Sequence, residues 1–153
     1  MYRSTWAKYK ANINQTTVLD FAKQINKNNF PNSQIEIDDK WETCYGTLKF
    51  DNKKFPNATD MVSQLHKMGF RVTLWLHPFI NNDCQVKDKE KYMVHDENNK
   101  VWPVKWWNGD AATIDFTDEQ AVNWFVSRVE QLKHETGIDS LKFDAGEFSW
   151  IVS

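Results

Sequence analysis

Four short runs of strand-forming residues in this chain each stop at a polar or charged side chain. Gln34-Ile35-Glu36-Ile37 runs into Asp38-Asp39, and Arg71 to Leu76 runs into His77-Pro78. Ala112-Thr113-Ile114 reaches Asp115-Phe116, and Ile138 to Phe143 reaches Asp144-Ala145-Gly146-Glu147. A strand that is apolar until a charge at its C-terminal end delivers that charge to an open edge. Helical patterns alternate with the strands. Val18, Phe21, Ala22 and Ile25 fall on one helical face, with Thr17 as the expected N-cap and Asn28 to Ser33 as breakers. A second helix is expected from about Thr59, with Met61 or Val62, Leu65 and Met68 buried and Gly69 closing it. A third, capped by Thr117 with Gln120 three residues on, buries Ala121, Phe125, Val129 and Leu132 and ends at Gly137.

Strands separated by helices form parallel sheets, because antiparallel neighbours need no crossover. The fold class is therefore α/β, either a doubly wound open sheet or part of a (β/α)8 barrel. No strand is followed by a Gly-rich phosphate loop, which counts against a nucleotide site. Polar and aromatic residues recur at strand C-termini, the catalytic face of a barrel, so the barrel is favoured. Residues 1–15 read as an extended lead-in, and the stretch from Asn81 to about Asp110 as a long polar loop carrying Trp102, Trp106 and Trp107. A loop this long is functional or disordered, and its aromatics argue against disorder.

With parallel strands, Asp38, Asp39, His77, Asp115 and Asp144 converge on one face. Asp115 stands so close to the Thr117 cap that a structural role is favoured for it, whereas Asp144 before Ala145-Gly146 is favoured as functional. Glu147 is expected to fix its loop. His77 reads equally as a buried core histidine or a pocket residue. His66, His95 and His134 sit at no comparable strand ends, so no metal site and no cofactor are expected. No Gly-x-Ser-x-Gly turn is present, which excludes a nucleophile elbow. The net charge of -2 gives no reason to expect a nucleic-acid partner, and no segment is long and apolar enough to span a membrane. Eight tryptophans are many for 153 residues, and aromatic rings beside carboxylates suit a sugar site. Retaining glycoside hydrolysis needs one ionised carboxylate as nucleophile and a second as acid/base. Lys142, two residues before Asp144, shares its face of the strand and would keep it ionised.

These residues resemble glycoside hydrolase family 31. The matching motifs are Ile37-Asp38-Asp39-Lys40-Trp41-Glu42, Thr73 to Phe79, Trp106-Trp107-Asn108-Gly109, Ile114-Asp115-Phe116-Thr117 and Lys142 to Glu147, in the family's order. The resemblance implies the first half of a TIM (β/α)8 barrel, about four βα units, across residues 1–153. It implies that Asp144 is the nucleophile and that Asp39, Trp41, Trp75, His77, Trp107 and Lys142 bind substrate, an α-linked oligosaccharide or glycoside. One subgroup points to α-galactosides, while the wider family is dominated by α-glucosidases. The acid/base aspartate of the family lies on a later strand, so the chain is expected to be a fragment without its proton donor. Half a barrel also leaves its fourth strand as an open edge, with poor solubility expected. Two other readings are an α-galactosidase of family 27 or 36, favoured less by Ala145-Gly146-Glu147, and a non-catalytic carbohydrate-binding or regulatory remnant.

Cys44 and Cys84 read from spacing alone as free thiols or a disulfide. Within the barrel they follow neighbouring strands on one face, which implies a disulfide if the protein enters the secretory path. Full-length relatives are expected in that path, although no signal peptide is visible here. Asn14-Gln15-Thr16 and Asn57-Ala58-Thr59 are glycosylation sequons at Asn14 and Asn57.

Overall fold

The computed structural model describes residues 2–147. In chain order its elements are β1 (Tyr2–Ser4), α1 (Trp6–Tyr9), α2 (Gln15–Lys27), β2 (Gln34–Ile37), α3 (Ala58–Lys67), β3 (Arg71–Leu76) and β4 (Phe79–Asn81). A 3-10 turn (Lys89–Tyr92), β5 (Pro103–Trp106), β6 (Gly109–Thr113), α4 (Glu119–Thr136) and β7 (Ser140–Phe143) follow. The main sheet has four parallel strands in the order β1-β2-β3-β7.

The expectation of parallel strands joined by helices holds, but the set of strands differs in two places. Tyr2–Ser4, within the expected lead-in, is the first strand of the sheet, pairing with Gln34 to Glu36. Three residues show no period, so only the partner strand reveals them. Conversely, Ala112-Thr113 does not join the parallel sheet. Gly109–Thr113 is the centre of a separate antiparallel sheet, order β4-β6-β5. β3 pairs directly with β7, so no slot remains between them. The long polar stretch thus leads into a small antiparallel sheet at the carboxyl end of β3, with β6 between β4 and β5, and it carries Trp106 and Trp107 on the β5–β6 hairpin.

The period-two alternation of the parallel strands divides the sheet by chemistry. Ile35, Ile37, Val72, Leu74 and Leu76 are fully buried in one cluster with Val18, Ala22, Met61 and Leu65 of the flanking helices. The alternate residues Gln34, Glu36, Thr73 and Ser140 are polar. Thr73 and Ser140 share a hydrogen bond of 2.8 Å across β3 and β7, and Gln34 donates to Thr73.

Two helices start earlier or later than the sequence suggests, for capping reasons. Asn14, not Thr17, is the N-cap of α2. Its side chain accepts from the Thr17 N–H at 2.9 Å while Thr17 Oγ1 accepts from the Asn14 N–H at 2.9 Å, a reciprocal capping box. Asp118, not Thr117, caps α4 by accepting from Gln120 N–H at 3.0 Å. The expected stripe of Ala121, Phe125, Val129 and Leu132 is buried, and Gly137 ends α4 with φ 79°. α3 is capped by Asn57, which accepts from Asp60 N–H at 3.0 Å.

Candidate active site

Asp39 and Asp144 are held alike. Each lies one or two residues beyond its strand, and the residue after it adopts positive φ: Lys40 at 71° and Ala145 at 60°. That turn aims the next backbone N–H back at the carboxylate, at 2.5 Å for Asp39 and 2.9 Å for Asp144. Asp144 Oδ2 also accepts from Trp75 Nε1 at 2.8 Å and lies 3.5 Å from Lys142 Nζ. Partial burial raises the Asp144 pKa, but the Trp75 and Ala145 donors and the Lys142 ammonium outweigh it and hold the carboxyl below its usual range. Asp144 therefore stands as an ionised carboxylate with defined orientation.

Asp38 is buried and directly follows β2. Its Oδ1 accepts from Asp39 N–H at 2.8 Å and its Oδ2 from Lys142 Nζ at 2.7 Å. Asp39 accepts from the Tyr45 hydroxyl at 2.6 Å and from Asn108 Nδ2 at 3.4 Å. Burial, and the negative Asp39 carboxylate that accepts its hydrogen bond, push the Tyr45 phenol above its normal range, so it stays a donor. Asn108 reaches this site because Asn81 clamps the hairpin: Asn81 donates to Asn108 O at 2.9 Å and accepts from Trp106 Nε1 at 2.9 Å. A cavity of about 430 Å³ opens between these groups, lined by Trp6, Asp38, Asp39, Trp75, Trp107, Lys142 and Asp144 among others. Trp6 and Trp107 are exposed at its rim.

The structure thus brings together Asp39, Trp75, Trp107, Lys142 and Asp144 of the expected set. Trp41 is a correction. It is fully buried, donates its indole N–H to Trp75 O at 2.8 Å and packs on Phe50 at 4.8 Å between ring centroids. It supports the backbone of Trp75 from behind and lines no wall of the cavity. His77 is buried in a box of Trp75, Tyr45 and Trp106, its Nδ1 accepting from Phe79 N–H at 3.3 Å. It lines, with Asp144, Phe116, Phe125 and Phe143, a neighbouring apolar cavity of about 170 Å³. Asp115 does not join the cavity. Its Oδ1 accepts from Thr117 N–H and Oγ1 at 3.0 and 2.6 Å, the structural role favoured for it. Glu147 is among the described residues but lines neither cavity.

Sequence reasoning passed over Tyr45, Asn108 and Trp6 as site residues. Tyr45 sits in a loop without period, Trp6 opens the four-residue helix α1, too short to show one, and Asn108 was visible only as part of the Trp-Trp-Asn-Gly hairpin turn. Cys44 and Cys84 are joined in a disulfide with Cα atoms 5.7 Å apart. The bridge holds the Tyr45 loop against the β4 segment, and Asn81 N–H donates to Tyr45 O at 3.0 Å. Both sequon asparagines are helix caps, Asn57 exposed and Asn14 half-buried. No helix among the described residues is long and apolar enough to cross a membrane.

A parallel barrel-type sheet whose carboxyl edge gathers carboxylates, an ammonium and tryptophans defines a TIM-barrel domain of the glycoside hydrolase class. The chain belongs to glycoside hydrolase family 31: the family model "Glycosyl hydrolases family 31 TIM-barrel domain" matches residues 2–152. It is 41% identical to the myogenesis-regulating glycosidase of Mus musculus over 152 residues, 97% of this chain and 21% of that protein. It is 28% identical to an alpha-xylosidase of Lactiplantibacillus pentosus, covering 91% of this chain and 19% of the relative. The chain therefore spans about a fifth of the length of these relatives. Among solved structures, a family 31 alpha-xylosidase from a soil metagenome, in complex with xylose, superposes with a TM-score of 0.82 at 21% identity. That match covers 99% of this chain and 22% of the other.

Proposed function

We propose that this chain carries the nucleophile-bearing part of the active site of a retaining α-glycosidase acting on α-galactosides or α-glucosides. The observation that carries the reading is Asp144, held ionised by Trp75 and Lys142 at the edge of a cavity with Asp39 and tryptophans around it. In this reading the Asp144 carboxylate attacks the anomeric carbon as the glycosidic oxygen leaves. Water then hydrolyses the resulting glycosyl ester. Asp39, oriented by Tyr45 and the Lys40 N–H, accepts hydrogen bonds from sugar hydroxyls, and Trp107 offers an aromatic face to the ring. Lys142 balances the negative charge on Asp144 and Asp38.

The reaction also needs a proton donor for the leaving oxygen. Among the described residues of the cavity, Asp38 is bonded to Lys142 and Asp39 accepts from Tyr45, so both suit binding rather than proton donation. The donor is expected from residues beyond those described, on a later barrel strand as in the family resemblance. A sugar with fluoride as leaving group bypasses that need, because fluoride departs without protonation. Incubating the chain with α-glycosyl fluorides that accumulate the covalent intermediate, followed by intact mass and peptide mapping, should place one glycosyl group on Asp144. Asp144→Asn should carry none. Sugar binding without labelling of Asp144 would instead support a non-catalytic carbohydrate-binding role, and the absence of both would end the proposal.

A further inference from the structure

Glu36 sits one step below the candidate site and takes no part in it so far. It is completely buried in the middle of β2, and neither carboxylate oxygen makes a well-formed hydrogen bond, although the Asp38 and Ser4 side chains lie close enough to act on it. Burial penalises a charged carboxylate that lacks good hydrogen bonds, so such a group is either neutral or tied to a cation. Its register fixes its surroundings: Ser4 on β1 and Thr73 on β3 flank it, and Asp38 lies two residues along the same face. The charged groups facing it are Asp38 of its own strand and Lys142 of β7, while β1 and β3 contribute only uncharged hydroxyls in that row.

Lys142 is the shared element. Its Nζ lies 2.7 Å from Asp38, 3.5 Å from Asp144 and 3.8 Å from Glu36. One ammonium thus faces three carboxyl groups at three depths, with Glu36 deepest. If all three were ionised, the cluster would carry two uncompensated negative charges. If Glu36 keeps its proton, the excess falls to one.

We propose that Glu36 is a positioning residue that decides how Lys142 is shared: as an uncharged acid it leaves the ammonium to Asp38 and Asp144, and as a carboxylate it competes for it. Burial first, and then the nearby Asp38, raise the Glu36 pKa to about 8, against the pull of Ser4 and Lys142. At neutral pH the lysine is therefore available to the upper pair. Above that range it is drawn down the barrel interior, and Asp144 loses part of its counter-charge. The consequence for chemistry rests on Asp144 being the nucleophile, but the sharing of Lys142 does not.

The experiment is a pH titration of the intact chain, detecting the Glu36 and Asp144 carboxyl carbons by 13C resonance and the Lys142 ammonium by 15N resonance. Wild type and Glu36→Gln are compared. Glu36 should hold its proton through neutrality and titrate near pH 8. The Lys142 and Asp144 resonances should move with that same midpoint. In Glu36→Gln both should keep their neutral-pH positions and lose the alkaline step, an effect that mere loss of packing would not produce. Titration of Glu36 in the ordinary carboxylate range overturns the proposal. So does a Glu36 that fails to titrate before unfolding, or a Lys142 and Asp144 that stay fixed while Glu36 ionises. The wild-type titration alone decides these points if Glu36→Gln does not fold. Failure of glycosyl labelling at Asp144 would strike the catalytic reading and leave this one standing.

Discussion

Tyr45 touches Asp39 through a single 2.6 Å hydrogen bond, and that bond orients a carboxylate of the candidate site. Tyr45→Phe keeps the ring packing against Trp75, His77 and Trp106 and removes only the hydroxyl. A half-buried bond to a charged acceptor contributes about 1–2 kcal/mol. Urea denaturation should show a loss of that size, and sugar affinity should fall because Asp39 is freer. Glu36 has a thermodynamic signature of its own. Its folded-state pKa is raised to about 8 from an ordinary value of 4.5, so between those values the folded chain binds more protons than the unfolded chain. Stability contributed by this group is then fully present below about pH 4.5 and lost as pH rises through about 8, with a slope of at most about 1.4 kcal/mol per pH unit. Glu36→Gln should flatten that part of the stability–pH curve in denaturant titrations. A wild-type curve with no such decline would contradict it.

At the scale of elements, local chemistry sets where helices begin, and tertiary neighbours set what loops become. Asn57 caps α3 through its side-chain oxygen, so Asn57→Ala should cost about 1 kcal/mol of stability in thermal or urea unfolding. The same oxygen remains an acceptor when a glycan is attached through Nδ2, so capping and the Asn57 sequon are compatible. Gly46 shows the opposite dependence. Its φ of 95° and its position permit no side chain: an added Cβ would lie 2.7 Å from Phe79 O and 2.8 Å from Ile80 Cα. Gly46→Ala should therefore destabilise by more than about 1 kcal/mol, since strain and backbone overlap add. It should also displace the neighbouring Tyr45, a shift visible in aromatic near-ultraviolet circular dichroism. The amphipathic helices were legible because their period of 3.6 residues repeats over several turns. The antiparallel β4-β6-β5 sheet was not, because strands of three to five residues with mixed composition resemble a loop until their partners are known.

For the molecule as a whole, the Cys44–Cys84 bridge closes a loop of sequence separation 40 that contains α3, β3 and β4. Chain-entropy arguments assign such a loop about 4 kcal/mol. Unfolding in the presence of a thiol reductant, or of the Cys44→Ser variant, should shift the denaturation midpoint down by a corresponding amount. An unchanged midpoint would mean that the bridge does not form in solution. The edges of the parallel sheet are β1 and β7 among the described residues, and Phe143 on β7 is 70% exposed beside Phe116.

The sequence alone determined the class of fold, because alternating strand and helix periods leave few arrangements other than a parallel α/β sheet. It also pointed to the carboxylates at strand ends, since a charge that interrupts an apolar run is visible without a partner. It did not determine which strands pair, so Tyr2–Ser4 was missed and Ala112–Thr113 was placed in the wrong sheet. Nor did it separate Trp41 from Trp75: both are tryptophans near strand ends, yet one faces the core and the other turns its indole to Asp144. Only the tertiary structure decided that, because a side chain's role depends on the face it occupies and on neighbours distant in sequence. The shared Lys142 is the clearest case. Asp38, Asp144 and Glu36 all face it from β2 and β7, two strands brought within reach of one another only because each pairs with β3 between them.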